Sequence, residues 1–300
     1  MVSEACPKGG HSHGHAGTVY PYAGEKHQVR WGPDEQGRLS RFWEVLALGA
    51  GVQSTTVLLM SLEGELPKLD FAVFSDTQGE PEPVYEHLEW LEGVAKASGI
   101  QVIRTTKGSL EESLLSTEHQ SAIPAFVKKA DGKRGILRRY CTLDYKIAPK
   151  TVTIRQMIGA STRGRVNRQF VRQWFGISWD ESERMTDSHV AYVEHHYPLI
   201  DLRMTRADCL VWLEAHGYPE PPRSACRFCP FHSDDEWVWL RDNAPVDFEK
   251  AVAFDAKIRT GQLHGVEGEV YLHDSLVPLG EAVFSRAGGN GRHCEADCAT

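Results

Sequence analysis

The stretch Cys226-Arg-Phe-Cys229-Pro230 sets two thiols three positions apart, just ahead of a proline. At that spacing both sulfurs reach one metal centre, and the N–H groups of the turn can hydrogen-bond to them; the pattern fits zinc, a redox dithiol or an iron–sulfur cluster. A further thiol, Cys141 in RRYCTLDYK, lies well upstream, and His232 just downstream could close a zinc site as fourth ligand. Cys294 and Cys298 in CEADCAT form a second, looser pair that could carry a persulfide, complete the metal centre or simply end the chain. The count of seven cysteines is odd, which favours metal or redox chemistry over a disulfide framework. Cys209 falls on an amphipathic helical pattern and reads as a core residue, and Cys6 reads as incidental.

The second candidate site is ALGAGVQSTTVLLM, residues 47–60. An apolar strand feeds a glycine turn and then a helix, so several backbone N–H groups and the positive end of the helix dipole converge on one point. That arrangement holds a phosphate through Gly49, Ala50, Gly51, Gln53, Ser54 and Thr55, with hydroxyl donors from the last two. It is not a Walker loop, since no Gly-Lys-Ser/Thr is present.

These sites need a frame. WEVLALGA and LDFAVFSD read as buried strands, IQVIRT as a third, and VQSTTVLLMSLEGEL and EPVYEHLEWLEGVAKASG as the helices between them. Such alternation predicts a parallel sheet with right-handed crossovers, in which ligands sit at the carboxyl ends of the strands. Gly49–Ser54 and Asp76–Gly79 fall at two such ends. Residues 107–140 read as an irregular, mobile loop. CTLDYKIAPKTVTIRQMIG reads as helical from Thr142 with a kink at Pro149, and QFVRQWFGIS as a strand. TRADCLVWLEAHG, SDDEWVWLRDN (with a capping box at Ser233 and Glu236) and PVDFEKAVAFDAKI read as helices. The expected domains are a flexible tail over 1–40, an α/β domain over 41–217 and a cysteine-containing helical region over 218–300.

The 300 residues are 41% hydrophobic and 25% charged, an ordinary globular composition. No apolar run is long enough to span a membrane and the N-terminus lacks a signal-peptide core, so the expectation is a cytoplasmic protein with no membrane partner. The net charge of −8 argues against a general nucleic-acid coat protein. Arg155, Arg163, Arg165, Arg168 and Arg172 nevertheless make a local basic stretch that could bind a nucleic-acid substrate or be a solvated loop. His11, His13 and His15 alternate in the tail, where they could take a stray metal. Asp180, Glu181 and Arg184 read as a polar cluster or a helix cap, Tyr85 and Trp90 as core, and His195 and His196 as packing or surface residues ahead of a strand-like YPLI. Trp237 and Trp239 read as burying against the cysteine turn.

The order Gly49-Ala50-Gly51-Val52-Gln53-Ser54 resembles the Ser-Gly-Gly-x-Asp-Ser signature of the PP-loop ATP pyrophosphatases, and more closely the phosphoadenosine-phosphosulfate reductase branch of the adenine nucleotide α-hydrolase superfamily. FSDTQGEPEPVYEHLEWL is similar to that branch's Asp-Thr-Gly turn, and WFGISWDESER to its later arginine-containing stretch, with Ser178 and Trp179 in place of two arginines and Arg184 retained. The resemblance covers roughly residues 43–245. It implies a HUP-like doubly wound sheet of about five parallel strands with helices on both faces, ATP with magnesium at the first turn, and adenosine beside Asp76, Thr77 and Gly79. Cys141, Cys226 and Cys229 resemble the ligands of a [4Fe–4S] cluster in adenylylsulfate reductases, with Thr142 where those carry a second cysteine of a pair. Three-cysteine clusters of tRNA-thiolating PP-loop enzymes are also similar. The resemblance implies an ATP-dependent sulfurtransferase that adenylates a nucleobase or small molecule and inserts sulfur, served by a sulfur or electron donor protein, with Lys146, Arg184, Cys294 and Cys298 as catalytic candidates. The alternatives are a sulfonucleotide reductase and a non-catalytic nucleotide-binding component of a defence or DNA-modification complex; a homo-oligomer is compatible with each.

Overall fold

The computed structural model describes residues 30–33, 39–116, 123–259 and 266–285. Cys6, His11, His13, His15, Cys294 and Cys298 lie outside the described residues. In chain order the elements are β1 (Arg30–Pro33), β2 (Leu39–Leu48), α1 (Val52–Glu63), β3 (Phe71–Asp76), α2 (Glu82–Ala97), β4 (Gln101–Thr106), α3 (Leu110–Leu115), β5 (Phe126–Lys128) and β6 (Arg134–Ile136). A π-helical turn (Thr142–Ile147) leads into α4 (Ala148–Met157), then β7 (Gln169–Phe175), a 3₁₀ turn (Trp179–Arg184), β8 (Val193–His196), α5 (Pro198–Asp201) and α6 (Arg206–Ala215). The remainder is α7 (Asp234–Asn243), α8 (Pro245–Arg259) and β9 (Glu269–Tyr271).

Five strands run parallel in the order β4-β3-β2-β7-β8, and β1 adds antiparallel to the start of β2. The expected doubly wound α/β class is the one observed. The central strand β2 is buried on both faces, as parallel strands are. Leu46 and Leu48 pack with α1, α2 and α6 on one side, while Trp43 and Val45 pack with Ile154 of α4 and Ile158 just after it on the other. Helix α1 is buried along its length, with Val57, Leu58 and Leu59 wholly enclosed, each worth about 1.5–3 kcal/mol of burial. It stops where Gly64 takes a left-handed φ of 82°. From β2 the chain crosses to β3 and β4 on one side and later to β7 and β8 on the other. The order therefore reverses between β2 and β7, where a crevice opens at the carboxyl ends.

Several expectations fail. Residues 107–140 are not an irregular loop throughout: α3 is capped by Ser109, and β5 and β6 form a hairpin that pairs with β9 in a second sheet. Short three-residue strands carry too little periodicity to be read locally. That second sheet joins strands from both sides of position 217. Residues 30–33, placed in the expected tail, pair with 39–42. His195 and His196 belong to β8 itself, and Pro198–Asp201 is a short helix rather than a strand, as proline at its first turn permits. The kink at Pro149 is a change of helix type: Pro149 has no N–H for the carbonyl four residues back, and the preceding turn widens so that the Ala148 N–H bonds to Leu143 O.

Candidate functional site

The crevice is an open cleft lined by Gly49, Gly51, Gln53 and Ser54 from the first turn. The same cleft is lined by Ser75 near the end of β3, Glu80 after it, Lys146 from the π-helical turn, Gly176 after β7, and Ser224. Helix α1 begins without a side-chain cap, since Gly51 is its N-cap, and without an acidic residue in its first turn. Its leading N–H groups therefore have no anionic side chain of their own to face. The Ser54 hydroxyl accepts from the Gly49 N–H at 3.1 Å and closes the turn. Ala50 is forced to a left-handed φ of 59° and is fully buried. Gly176 is obligatory on geometry, because a Cβ there would stand 2.5 Å from the Ser54 backbone nitrogen.

Thr55 does not join this cradle. Its hydroxyl points to the core and meets His87 Nε2 at 3.1 Å, where burial pushes the imidazole pKa down to about 4. The one-residue step from Ser54 to Thr55 turns the side chain about 100° around the helix, from cleft to core. Gln53 is held on three sides. Its Oε1 accepts from Arg206 Nη1 at 3.0 Å, and its Nε2 donates to Glu181 Oε2 at 3.2 Å and Ser178 Oγ at 3.4 Å. Arg184 does not line the cleft; it pairs with Glu181 at 2.8 Å.

The second turn, Asp76–Gly79, expected to border adenosine, packs against the C-x-x-C turn. Asp76 Oδ1 accepts from Gln78 N at 2.7 Å and from the Tyr85 hydroxyl at 2.8 Å, which holds Gln78 at a φ of 59°. Thr77 Oγ1 lies 3.0 Å from Cys226 Sγ, the Arg227 N–H donates to Gly79 O at 2.7 Å, and a Cβ on Gly79 would meet the Phe228 ring at 2.9 Å. The C-x-x-C turn thus docks on this loop, and Asp76, Thr77 and Gly79 are not walls of the cleft.

Cys226 is half-buried. Burial pushes its thiol up to about 12; the Glu80 and Cys141 charges push the same way, and Lys146 and the Thr77 hydroxyl oppose them. Cys141 and Cys226 pack against one apolar cluster with Tyr145, Phe228 and Trp237. Cys229 closes the turn through its N–H to Cys226 O at 2.8 Å. His232 gives its Nε2 to the Cys226 carbonyl oxygen at 3.0 Å and stacks near Trp237, so it braces the turn instead of facing a metal beside the sulfurs. Among the described residues no three His, Cys, Asp or Glu side chains gather around one point as a single ion requires. The zinc site with His232 is therefore not assembled, because tetrahedral ligands at about 2.3 Å must nearly touch. A cluster fits the donors in kind: soft thiols, apolar walls and an adjacent cation. Thr142 Oγ1 and Trp237 Nε1, buried in this region without a hydrogen-bond partner, are donors that an acceptor-rich group would satisfy. Cys209 is core as expected, with its thiol pushed up to about 12 by burial.

The basic stretch divides. Arg155 is buried and ties Ser161 O and Gly164 O at 2.7 Å each, and Arg172 pairs with Glu44 and Glu194. Arg163, Arg165 and Arg168 are exposed but precede β7, at the end of the sheet away from the cleft. Seven residues at about 3.3 Å each separate them from the site by roughly 20 Å. No helix among the described residues is long and apolar enough to cross a membrane. Glu80, Ser75, Gly176 and Ser224 escaped the sequence reading; of these only Gly176, a glycine closing a strand, carried a local signal.

No protein-family model matches the chain, and no curated protein matches it. Among solved structures it is similar to the phosphoadenylyl-sulfate reductase of Candida auris in its phosphate complex: 14% identity over 60% of this chain and 74% of that one, TM-score 0.37. It is also similar to the U34-tRNA thiolase NcsA of Methanococcus maripaludis with its [4Fe-4S] cluster: 11% identity over 76% and 74%, TM-score 0.40. Both likenesses stand at the level of fold.

Proposed function

We propose that this chain is an adenine-nucleotide-dependent enzyme that adenylates a carbonyl oxygen of a nucleobase or small molecule and exchanges that oxygen for sulfur beside a thiol corner. One observation carries the reading: Glu80 and Lys146 line the nucleotide cleft and are also the charged side chains whose fields act on Cys226. The α1 N–H groups and Ser54 hold phosphates, and Lys146 places a positive charge between the phosphates and the sulfurs. The substrate oxygen displaces pyrophosphate from the α-phosphorus, and a sulfide from an external donor then displaces AMP from the activated carbon. Cys141, Cys226 and Cys229 would hold an iron–sulfur cluster, which when bound supplies a soft iron able to present sulfide. The sulfonucleotide reductase alternative is less well served, because the retained Arg184 is engaged by Glu181.

Anaerobically purified protein tests this. The expected result is bound iron and acid-labile sulfide, ATP binding, and AMP release that requires a thiolation substrate. Cys141→Ala and Cys226→Ala should lose iron while keeping nucleotide affinity. Stoichiometric zinc without iron, or sulfite release from adenylyl sulfate without ATP, overturns it.

A further inference from the structure

Residues 126–146 carry seven lysines and arginines against two aspartates, inside a chain of net charge −8. The segment is laid out as the β5–β6 hairpin, a strap that runs on through Tyr140, and the π-helical turn that brings Lys146 to the cleft. Lys128, Lys129, Lys133, Arg134 and Arg138 are all exposed. Lys128 stands directly opposite Arg134 in the hairpin, with Glu269 of β9 on its other side. The neighbouring carboxylates are surface partners. Asp131 pairs with Lys133 and Asp274 with Arg134, each pair open to solvent, while Glu267 and Glu269 border Lys128 and Lys129. Exposed pairs of this kind are worth at most about 1 kcal/mol, so a phosphate can take over the cation. Apolar groups interleave with the charge: Ile136, Tyr140 and Leu143 are exposed, and the Arg138 guanidinium donates to the Tyr140 hydroxyl at 3.4 Å. The strap ends at the thiols. Tyr140 directly precedes Cys141, and the Arg139 guanidinium lies 5.6 Å from the ring centre of Phe231, two residues beyond Cys229.

We infer that this strap is the docking surface of a single-stranded nucleic acid: the hairpin and Arg138 hold phosphates, and Tyr140 stacks an unpaired base at the edge of the thiol corner. Cations interleaved with an exposed aromatic suit an unpaired strand, whose phosphates take the charge and whose bases each offer a face to stack on. The negative charge of the whole chain does not oppose this, because the fields of exposed charges fade within about 8 Å at physiological ionic strength. The exposed Arg163, Arg165 and Arg168 lie at the end of the sheet away from the cleft and form no part of the surface. For the fate of the docked base the inference rests on the reading above, which it narrows to a nucleobase carried within a strand.

The test is fluorescence anisotropy of the full chain, without ATP or iron, against short labelled oligonucleotides of mixed sequence: single-stranded RNA, single-stranded DNA and duplex DNA. With about four phosphate contacts, single-strand affinity should fall roughly 50-fold between about 50 and 200 mM salt. Lys128→Gln, Lys129→Gln and Arg138→Gln combined should weaken single-strand binding at least tenfold and flatten its salt dependence. Arg163→Gln, Arg165→Gln and Arg168→Gln combined should stay within about twofold of the wild type. Tyr140→Ala should weaken the single strands by about fivefold or more and leave any duplex binding unchanged. All these positions are exposed, and matched thermal melts check that the variants fold. No single-strand binding at low salt, binding that ignores salt, or equal losses in the two triple variants overturns the inference. Binding to phosphatidylserine vesicles as tight as to the single strands overturns it too. The thiolation reading fails separately: strands that bind as described but support no ATP-dependent AMP release sink that reading and leave the surface standing. Thiolation of a free nucleoside without strand binding does the reverse.

Discussion

Two turns sit side by side at the carboxyl ends of adjacent parallel strands, Gly49–Ser54 after β2 and Asp76–Gly79 after β3. Each contains a non-glycine residue at a φ of 59°, Ala50 in one and Gln78 in the other. Each also needs a glycine where the chain passes another segment: Gly176 against the first turn and Gly79 in the second. The first turn opens on the cleft; the second is covered by the C-x-x-C turn through Thr77, Gly79 and Phe228. Equivalent strand-end positions thus differ: one lines an open cleft and the other is covered by a piece of the same chain. The difference lies in which polar groups are already engaged. No side-chain cap engages the start of α1, whereas the Gly79 carbonyl and the Thr77 hydroxyl meet Arg227 N and Cys226 Sγ.

The comparison is broken most severely at Gly176. A methyl group there strikes backbone on α1, not a yielding side chain. Gly176→Ala should cost about 3 kcal/mol or more in urea denaturation and abolish nucleotide binding. Retained ATP affinity in that variant would mean that the α1 turn is not the phosphate cradle.

Acid should loosen the first turn from behind. The folded state keeps His87 neutral, with its pKa pushed to about 4 against 6.5 in the unfolded chain. Unfolded chains then bind the extra proton first, so this stabilisation is present above pH 6.5 and is lost as pH falls towards 4. The loss amounts to about 3 kcal/mol at most. Thermal melts across that window should flatten in His87→Gln relative to the wild type.

At the second turn, Gly79→Ala meets the buried Phe228 ring and should cost roughly 1–3 kcal/mol. Iron content should fall while ATP affinity stays within about twofold, the reverse of the Gly176 outcome. The smallest effect separates the two strained residues. Gln78→Gly, at an exposed site, should stabilise the protein by up to about 1 kcal/mol. Ala50→Gly should come out near zero, because relief of the left-handed backbone is offset by loss of a wholly buried methyl. Equal gains at both positions would show that burial does not distinguish them.

Much of the sheet was legible because its signals are local. The apolar runs of β2, β3 and β4, the glycine that ends α1 and the capping box of α7 all act within a few residues. The cleft was legible in part for the same reason: Gly49, Gly51 and Ser54 follow directly from a strand–turn–helix junction. Which way Thr55 faces was not legible because a helix rotates neighbouring side chains to different faces, and only packing against α2 turns its hydroxyl to His87. The Arg155–Arg172 stretch misled because charge along a sequence says nothing of which guanidinium is enclosed.

From the order of residues alone came the alternation of strands and helices, the parallel sheet and the glycine turn between β2 and α1, since apolar period and glycine placement act at short range. Tertiary structure decided which strand-end turn stays open, what Gln53 touches, and that Glu80 and Lys146 lie between cleft and sulfur. Those relations join groups 125 positions apart, as in Gln53 with Ser178, or 149 apart, as in Thr77 with Cys226. Contacts at such separations arise only when the sheet brings distant segments together, and no local pattern encodes them.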